Sequence, residues 1–105
     1  MSRVRELNDG FRTSMEGGRV LVTVGVEALG FTAVIDAMRL VREFSDFNAD
    51  NDPHGEHDFG VIEVAGRKVF WKIDCYDLDM QYGSPDSTDP AVTTRVLTIL
   101  LAEEY

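Results

Sequence analysis

The sequence predicts an α+β fold in which three helices cover a small sheet of about three strands, with a β-hairpin at its centre. Three patterns carry this prediction. Two segments repeat apolar residues at helical spacing, one β-branched segment lies between them, and two alternating segments flank a short turn. With a last helix near the end, the order of elements is α-β-α-β-β-α. A chain of 105 residues has the size of one domain, so we expect residues 1–105 to form a single unit.

The first two helices are predicted from the spacing of their apolar residues. In residues 3–15 and 32–44 these residues recur every three or four positions, which places them on one helical face. Gly17 and Gly18 end the first helix. The apolar stripes consist of Val4, Leu7, Phe11 and Met15 in the first helix and Val34, Met38, Val41 and Phe44 in the second.

The third helix is predicted to begin at Asp89-Pro90. Aspartate is a preferred residue at a helix N-cap, and proline is preferred at the first helical position. The apolar residues that follow also fit one helical face. They are Val92, Val96, Ile99 and Leu100.

The strands are predicted from β-branched and alternating segments. Residues 19–26 read RVLVTVGV and are bounded by glycines. Residues 59–64 and 68–74 form a hairpin around Ala65-Gly66, which places Glu63 opposite Lys68 and Ile62 opposite Val69. One face of the hairpin is apolar, and we expect Trp71 on that face to be buried between the sheet and the last helix.

Charge is the most informative property of the composition. The net charge is −9, and residues 43–58 and 74–89 hold eleven of the nineteen acids with no lysine or arginine. This balance argues against direct binding to nucleic acid or to an anionic membrane and favours the basic surface of another protein as partner. The chain has no long apolar run, no secretory signal at its start and a single cysteine, Cys75, so we expect a cytoplasmic protein.

The two acidic segments are expected to form one negative face. The first enters the hairpin at Phe59 and the second leaves it after Ile73, so both begin at the same end of the hairpin. The alternative interpretation is that the acids only keep two loops solvated. The residues predicted to bind a partner are Asp50, Asp52, Glu56, His57, Asp58, Asp74, Asp77 and Asp79.

Two other patterns are similar to metal-binding sequences, but each is a less specific signal than the charge. His54 and His57 have a His-x-x-His spacing among carboxylates, which could hold zinc or iron. Asp46-x-Asn48-x-Asp50 is similar to the start of a calcium loop but lacks the glycine and glutamate that such a loop requires. The simpler interpretation is that these residues brace a tight turn. We expect no catalytic residue, no metal and no cofactor, because the acids around Cys75 disfavour a thiolate and Ser84 lies in a turn.

Several stretches of the chain resemble a family of small bacterial proteins of unknown function, domain of unknown function 3768. The resemblance lies in residues 51–60, 70–74, 76–77, 82–86 and 93–105 and, more loosely, in Leu7-Asn8-Asp9 and the Gly-Gly-Arg before the first strand. It implies no activity. It implies proteins carried by plasmids and integrating elements, whose small acidic products often inhibit host defence by resembling DNA in charge.

Three functions remain open at this point. The first is a non-enzymatic binding protein of a mobile element, similar to a DNA mimic, that occupies a basic nucleic-acid-binding surface of a host defence protein in an anti-CRISPR or anti-restriction role. The second is a small metal-dependent hydrolase or nuclease that uses His54, His57, Asp58, Asp74 and Asp77. The third is a structural module without a site. The first is favoured because it explains the one-sided charge and the lack of a nucleophile together.

Overall fold

The computed structural model describes residues 2–105 and confirms the α+β class. Its helices are α1 (Arg3–Ser14), α2 (Val24–Glu27) and α3 (Phe31–Glu43). Its strands are β1 (Arg19–Val22), β2 (Phe59–Val64), β3 (Arg67–Tyr76) and β4 (Thr94–Leu101). The four strands form one sheet in the order β1-β4-β3-β2, in which only the β1–β4 pair is parallel. The predicted count of about three strands was therefore one too low. The predicted central position of the hairpin is also wrong, because β2 is an edge strand and the hairpin β2–β3 forms one side of the sheet.

The predicted last helix is wrong, because residues 94–101 form strand β4. Asp89 caps a helical turn as expected, and its Oδ1 accepts a hydrogen bond from the Ala91 amide at 2.9 Å. That turn is a 3₁₀ helix of three residues, Pro90–Val92. β4 then lies between β1 and β3 and is buried on both faces. A strand in that position has a nearly continuous apolar sequence, which by spacing alone also fits a helix.

The predicted strand over residues 19–26 ends early. β1 pairs with β4 only from Arg19 to Val22, and the chain then turns into α2. The Glu104 carboxylate fixes this turn, since it accepts hydrogen bonds from Thr23 Oγ1 at 2.7 Å and from the Gly25 amide at 3.2 Å. Val26 therefore belongs to helix α2 and not to a strand, and its side chain is fully buried. The contact comes from the other end of the chain, so the alternating valines could not reveal it.

The hairpin has the predicted register. Glu63 lies opposite Lys68 and Ile62 opposite Val69. The turn residues Ala65 and Gly66 have φ angles of 52° and 74°, as the two-residue turn with left-handed central residues requires. The hairpin is therefore specified locally by its own sequence.

The core lies on one face of the sheet, beneath α1 and α3. Trp71 is fully buried there, as predicted. Its neighbours differ from the prediction, because the last helix does not exist. Phe44 and Phe47 contact the indole edge-on at centroid distances of 5.4 and 6.1 Å, and the Arg12 guanidinium lies 5.3 Å from its ring centre. Aromatic packing and a cation–π contact thus take the place of the expected helix.

The other face of the sheet carries a smaller aromatic cluster. Phe59, Phe70 and Tyr105 contact one another with centroids 5.2–6.3 Å apart. Within the described residues 2–105, no helix has the length and apolar character needed to cross a membrane.

Truncation of the buried indole should destabilise the fold strongly. Because Trp71 is fully buried, Trp71→Ala should lower the free energy of unfolding by about 3–5 kcal/mol in a denaturant titration. Gly60→Ala should also destabilise, since a Cβ at that position would collide with Trp71 Nε1. Leu78→Ala, at an exposed side chain, is the control and should change stability little. Parental stability in Trp71→Ala would contradict the assigned core.

The carboxylate of Glu104 should stabilise the fold only when it is charged. Hydrogen bonds from Thr23 Oγ1 first, and then from the Leu101 amide, lower the pKa of Glu104 below its ordinary value of 4.5. The stabilisation is therefore present above the unfolded-state pKa and is lost as the pH falls through the folded-state pKa. Glu104→Gln should lower the melting temperature at pH 7, and the difference from the parent should shrink as the pH falls below 4.5.

Glu103→Gln is the matched control for this measurement. Glu103 forms an exposed ion pair with Arg67, which should contribute little. A difference in melting temperature between Glu104→Gln and the parent that is the same at every pH would contradict the prediction, because it would show that the stabilisation does not depend on the charge of the Glu104 carboxylate.

Candidate functional site

A histidine held between two carboxylates joins the first acidic segment to α1. His57 Nδ1 lies 2.9 Å from Asp9 Oδ1, and His57 Nε2 lies 3.5 Å from Asp52 Oδ2. The imidazole also stacks on Phe47, with ring centroids 3.7 Å apart and planes at 2°. His57 is therefore fixed on both ring nitrogens and on one ring face, and its role is to hold the loop.

Asp52 is an internal part of the same loop. Its side chain is 5% exposed, and its Oδ1 accepts hydrogen bonds from the amides of Glu56 at 3.0 Å and His57 at 3.1 Å. These bonds hold His57 in the left-handed region at φ 54°. Two of the eight predicted partner-binding residues, Asp52 and His57, are thus engaged in contacts inside the protein.

Arg12 extends this network to the end of α3. Its Nη1 donates to three carbonyl oxygens near the C-terminus of that helix, and its Nη2 donates to Asp9 Oδ1 at 3.1 Å. The guanidinium also lies over the Phe47 ring, 5.4 Å from its centre. Arg12 thereby satisfies helix carbonyls that would otherwise lack donors and fixes Asp9 for His57. The three acceptors are Val41, Arg42 and Phe44.

A second buried pair connects the two acidic segments. Asn8 Nδ2 donates to the Glu56 carbonyl at 3.0 Å, and Asn8 Oδ1 accepts from Arg95 Nε at 2.9 Å. Arg95 Nη2 donates to the Ser87 carbonyl. Asn8 and Arg95 are 1% and 4% exposed. The first acidic segment, α1, β4 and the second acidic segment are consequently held by one chain of hydrogen bonds.

The polar residues of α1 and Arg95 were not predicted as site residues. Asn8 and Arg12 are four positions apart and adjoin the apolar stripe of α1, which was the available signal that they face inwards. Leu7-Asn8-Asp9 and the segment containing Arg95 also belong to the stretches that carry the family resemblance. Their partners lie up to 87 residues away, and no local pattern identifies such partners.

The two acidic segments are joined by a backbone hydrogen bond where they meet the hairpin. The Asp58 carbonyl accepts a hydrogen bond from the Ile73 amide at 2.8 Å. Burial raises the pKa of Asp58 above its ordinary value of 3.8, and the carboxylates of Asp52 and Asp74 raise it further. Asp74 forms an ion pair with Lys72 at 3.0 Å. The backbone of Asp58 therefore lies beside Ile73, next to Asp74, as the register of the hairpin predicts, and the charges of Asp52 and Asp74 both act on Asp58.

The remaining predicted acids lie in the turns beyond this point. Asp50 and Asp79 are exposed, whereas Glu56 and Asp77 are half-buried. Asp77 Oδ1 accepts a hydrogen bond from the Gln81 amide at 3.0 Å and so stabilises its own turn.

The two histidines are in different environments. His54 is exposed, whereas the His57 ring is packed against Phe47. Across residues 2–105, no three side chains of His, Cys, Asp or Glu are grouped so that they could hold a metal ion. Asn48 and Asn51 instead brace the turn. Asn48 Oδ1 accepts from the Asp50 amide, and Asn51 Nδ2 donates to the Asp46 carbonyl. These contacts favour the bracing interpretation of both sequence patterns.

The surroundings of Cys75 and Ser84 are also those of structural residues. Burial raises the pKa of the Cys75 thiol above its ordinary value of 9.0, and this effect outweighs the opposing influence of Arg95. A thiol in this environment is a poor nucleophile at neutral pH. Ser84 Oγ lies 2.6 Å from Thr93 Oγ1 and accepts a hydrogen bond from the Asp86 amide.

Comparison with known proteins identifies a family but no activity. The family described as "Protein of unknown function (DUF3768)" matches residues 22–104, so the chain belongs to it. No curated protein and no solved structure matches the chain.

Asp58 should destabilise the fold when it is charged. Its folded-state pKa lies above the ordinary value of 3.8 because burial disfavours the charged form. A group with a raised pKa contributes stability below its unfolded-state pKa and loses that contribution as the pH rises through its folded-state pKa. Asp58→Asn should therefore raise the melting temperature at pH 7, and the gain should disappear once the pH falls below 3.8.

The exposed Asp79 provides the control for Asp58→Asn. Asp79→Asn removes the same charge from the second acidic segment and should change the melting temperature less. An Asp58→Asn variant that is less stable than the parent at pH 7 would show that the ionised Asp58 supports the fold.

Proposed function

We propose that this member of the DUF3768 family is a non-enzymatic binding protein that uses its acidic end to engage a basic surface on a partner protein. The acidic end comprises the two acidic segments, residues 43–58 and 74–89. The observation that carries the proposal is the hydrogen bond from the Ile73 amide to the Asp58 carbonyl, which joins the two acidic segments and leaves the half-buried Asp58 carboxylate where the charges of Asp52 and Asp74 raise its pKa. A cationic partner would relieve this unfavourable arrangement.

The buried polar network supports the proposal by making the acidic end rigid. Asn8 binds the backbone of the first segment at Glu56 and also binds Arg95, which in turn binds the second segment at Ser87. The His57 contacts fix the first segment to α1. A surface that is already ordered loses little conformational entropy when a partner binds, so fewer contacts are needed for a given affinity.

The non-enzymatic part of the proposal is supported by how the reactive side chains are used. Both ring nitrogens of His57 face carboxylates, the thiol of Cys75 is held neutral by burial, and Ser84 bonds to Thr93. None of these three side chains is paired with a second group in the manner of a nucleophile and its base.

A finer proposal concerns the partner. Carboxylates held on a rigid surface can take the place of phosphates, so the partner would be a cytoplasmic protein whose basic groove normally holds nucleic acid. The chain would then act as a DNA mimic that inhibits a host defence protein on behalf of a mobile genetic element. Its net charge of −9 supports this proposal.

Reversal of exposed charges tests the proposed surface. The double variant Asp50→Lys, Asp79→Lys should weaken binding of an oligolysine peptide by roughly tenfold at low salt, measured by calorimetry, because both residues are exposed in the acidic end. The same variant should fail to capture a nucleic-acid-binding protein from a bacterial lysate that the parent captures in a salt-sensitive manner. The free energy of unfolding should stay close to the parental value. Asp52 is not used, because its carboxylate holds the loop.

The matched control is Glu16→Lys, Glu27→Lys. Both glutamates are exposed outside the acidic end, and this double variant changes the net charge by the same amount. It should lose much less affinity for the peptide. Equal losses in the two double variants would show that net charge alone determines binding, and would contradict a localised site.

A further inference from the structure

A cavity of about 250 Å³ lies between α1 and the turn at Pro90. Leu7, Phe11 and Pro90 provide apolar walls, and Arg95 is the only basic residue among its lining side chains. Glu6 and Glu16 also line the cavity, and both are exposed. The volume is slightly below the range of about 300–1,000 Å³ that is typical of ligand pockets, which limits an occupant to a small molecule.

Arg95 is a buried charge without a carboxylate partner in the described part of the chain. It is 4% exposed. Its two hydrogen bonds go to neutral acceptors, Asn8 Oδ1 and the Ser87 carbonyl. The ion pairs formed within residues 2–105 use other basic side chains. A buried charge without a counter-charge is costly, so an anion beside Arg95 would be strongly favoured.

The unused donors of Arg95 are available to the cavity. A guanidinium has five N–H donors, and the two bonds to Asn8 and Ser87 leave others free. Arg12 Nε and Trp71 Nε1 are the buried side-chain nitrogens of residues 2–105 that lack a hydrogen-bond partner, and no nitrogen of Arg95 is among them. Arg95 Nη1, which donates no hydrogen bond within residues 2–105, is therefore not fully buried, and Arg95 lines the cavity.

We propose that this cavity binds the zwitterion of an α-amino acid with an apolar side chain. The carboxylate would bind the free donors of Arg95, the ammonium would lie towards Glu6 and Glu16, and the side chain would contact Leu7, Phe11 and Pro90. A plain anion such as phosphate fits less well, because the two glutamates would repel it. The cavity shares Arg95 with the network that holds the acidic end, but it is tested with other probes and other variants.

Gly10 allows the cavity to be filled without disturbing the fold. It lies in α1 and lines the cavity, and a Cβ added there would meet no atom within 4 Å. Gly10→Leu should therefore occupy the cavity while the helix remains intact. Gly10→Ala is the matched control, because it makes the same change to the backbone and adds only one methyl group.

The binding experiment compares four kinds of probe by calorimetry and by amide chemical shifts. The probes are a panel of apolar L-amino acids that includes leucine and phenylalanine, then 4-methylpentanoate, isoamylamine and inorganic phosphate. At least one amino acid should bind the parent and Gly10→Ala with similar affinity and should shift the amides of Leu7, Phe11 and Arg95. Its affinity should fall at least tenfold in Gly10→Leu. The carboxylate and the amine alone should each bind at least tenfold more weakly than leucine.

The remaining outcomes would overturn the proposal. These are no saturable binding by any amino acid of the panel, equal binding by Gly10→Leu and Gly10→Ala, or preference for phosphate over every amino acid. The double variant Glu6→Gln, Glu16→Gln adds a further readout. It should remove the advantage of leucine over 4-methylpentanoate, and an unchanged advantage would contradict the assigned position of the ammonium.

Discussion

The arrangement of both acidic segments depends on the polar side chains that α1 directs into the protein. Asn8 and Arg12 are almost fully buried, and their hydrogen bonds reach residues 29–87 positions away. Asn8 determines where Glu56 and Arg95 lie, while Arg12 and Asp9 determine where α3 ends and where His57 packs. If one partner is removed, buried donors and acceptors lose their bonds, so the network is maintained as a unit.

The sequence predicts an element well when local interactions determine it. The hairpin register followed from the two-residue turn and from the cross-strand pairs at Glu63 and Ile62. By contrast, β4 and α2 are determined by distant contacts. Residues 94–101 form a strand because they pair with β1 on one side and with β3 on the other. The turn into α2, which begins at Val24, is held by the Glu104 carboxylate near the other end of the chain, which accepts a hydrogen bond from Thr23 Oγ1. Apolar spacing in residues 94–101 could not distinguish the two alternatives, because a buried strand and a buried helix share it.

The candidate site, like the fold, was predictable only where local interactions determine it. The hairpin register placed Asp58 near Asp74, and the backbone of Asp58 lies beside Ile73, next to Asp74. Composition could not separate acids that face solvent from acids that hold the protein. Asp52 resembles its neighbours in sequence, yet it accepts two backbone hydrogen bonds and is buried. Arg95 lies in an apolar segment whose sequence gives no sign that this side chain is buried without a counter-charge.

Electrostatics distinguishes the carboxylates whose charge the fold favours from those whose charge the fold disfavours. In Glu104, hydrogen bonds from Thr23 and Leu101 favour the charged form, so folding lowers its pKa. In Asp58, burial and the nearby carboxylates disfavour the charged form, so folding raises its pKa. Selection for stability alone would remove a charge of the second kind, since neutral side chains of similar shape are available. Arg95 presents the same imbalance with the opposite sign. Neither Asp58 nor Arg95 forms an ion pair within residues 2–105, and we propose that a cationic surface compensates Asp58 and that a carboxylate compensates Arg95.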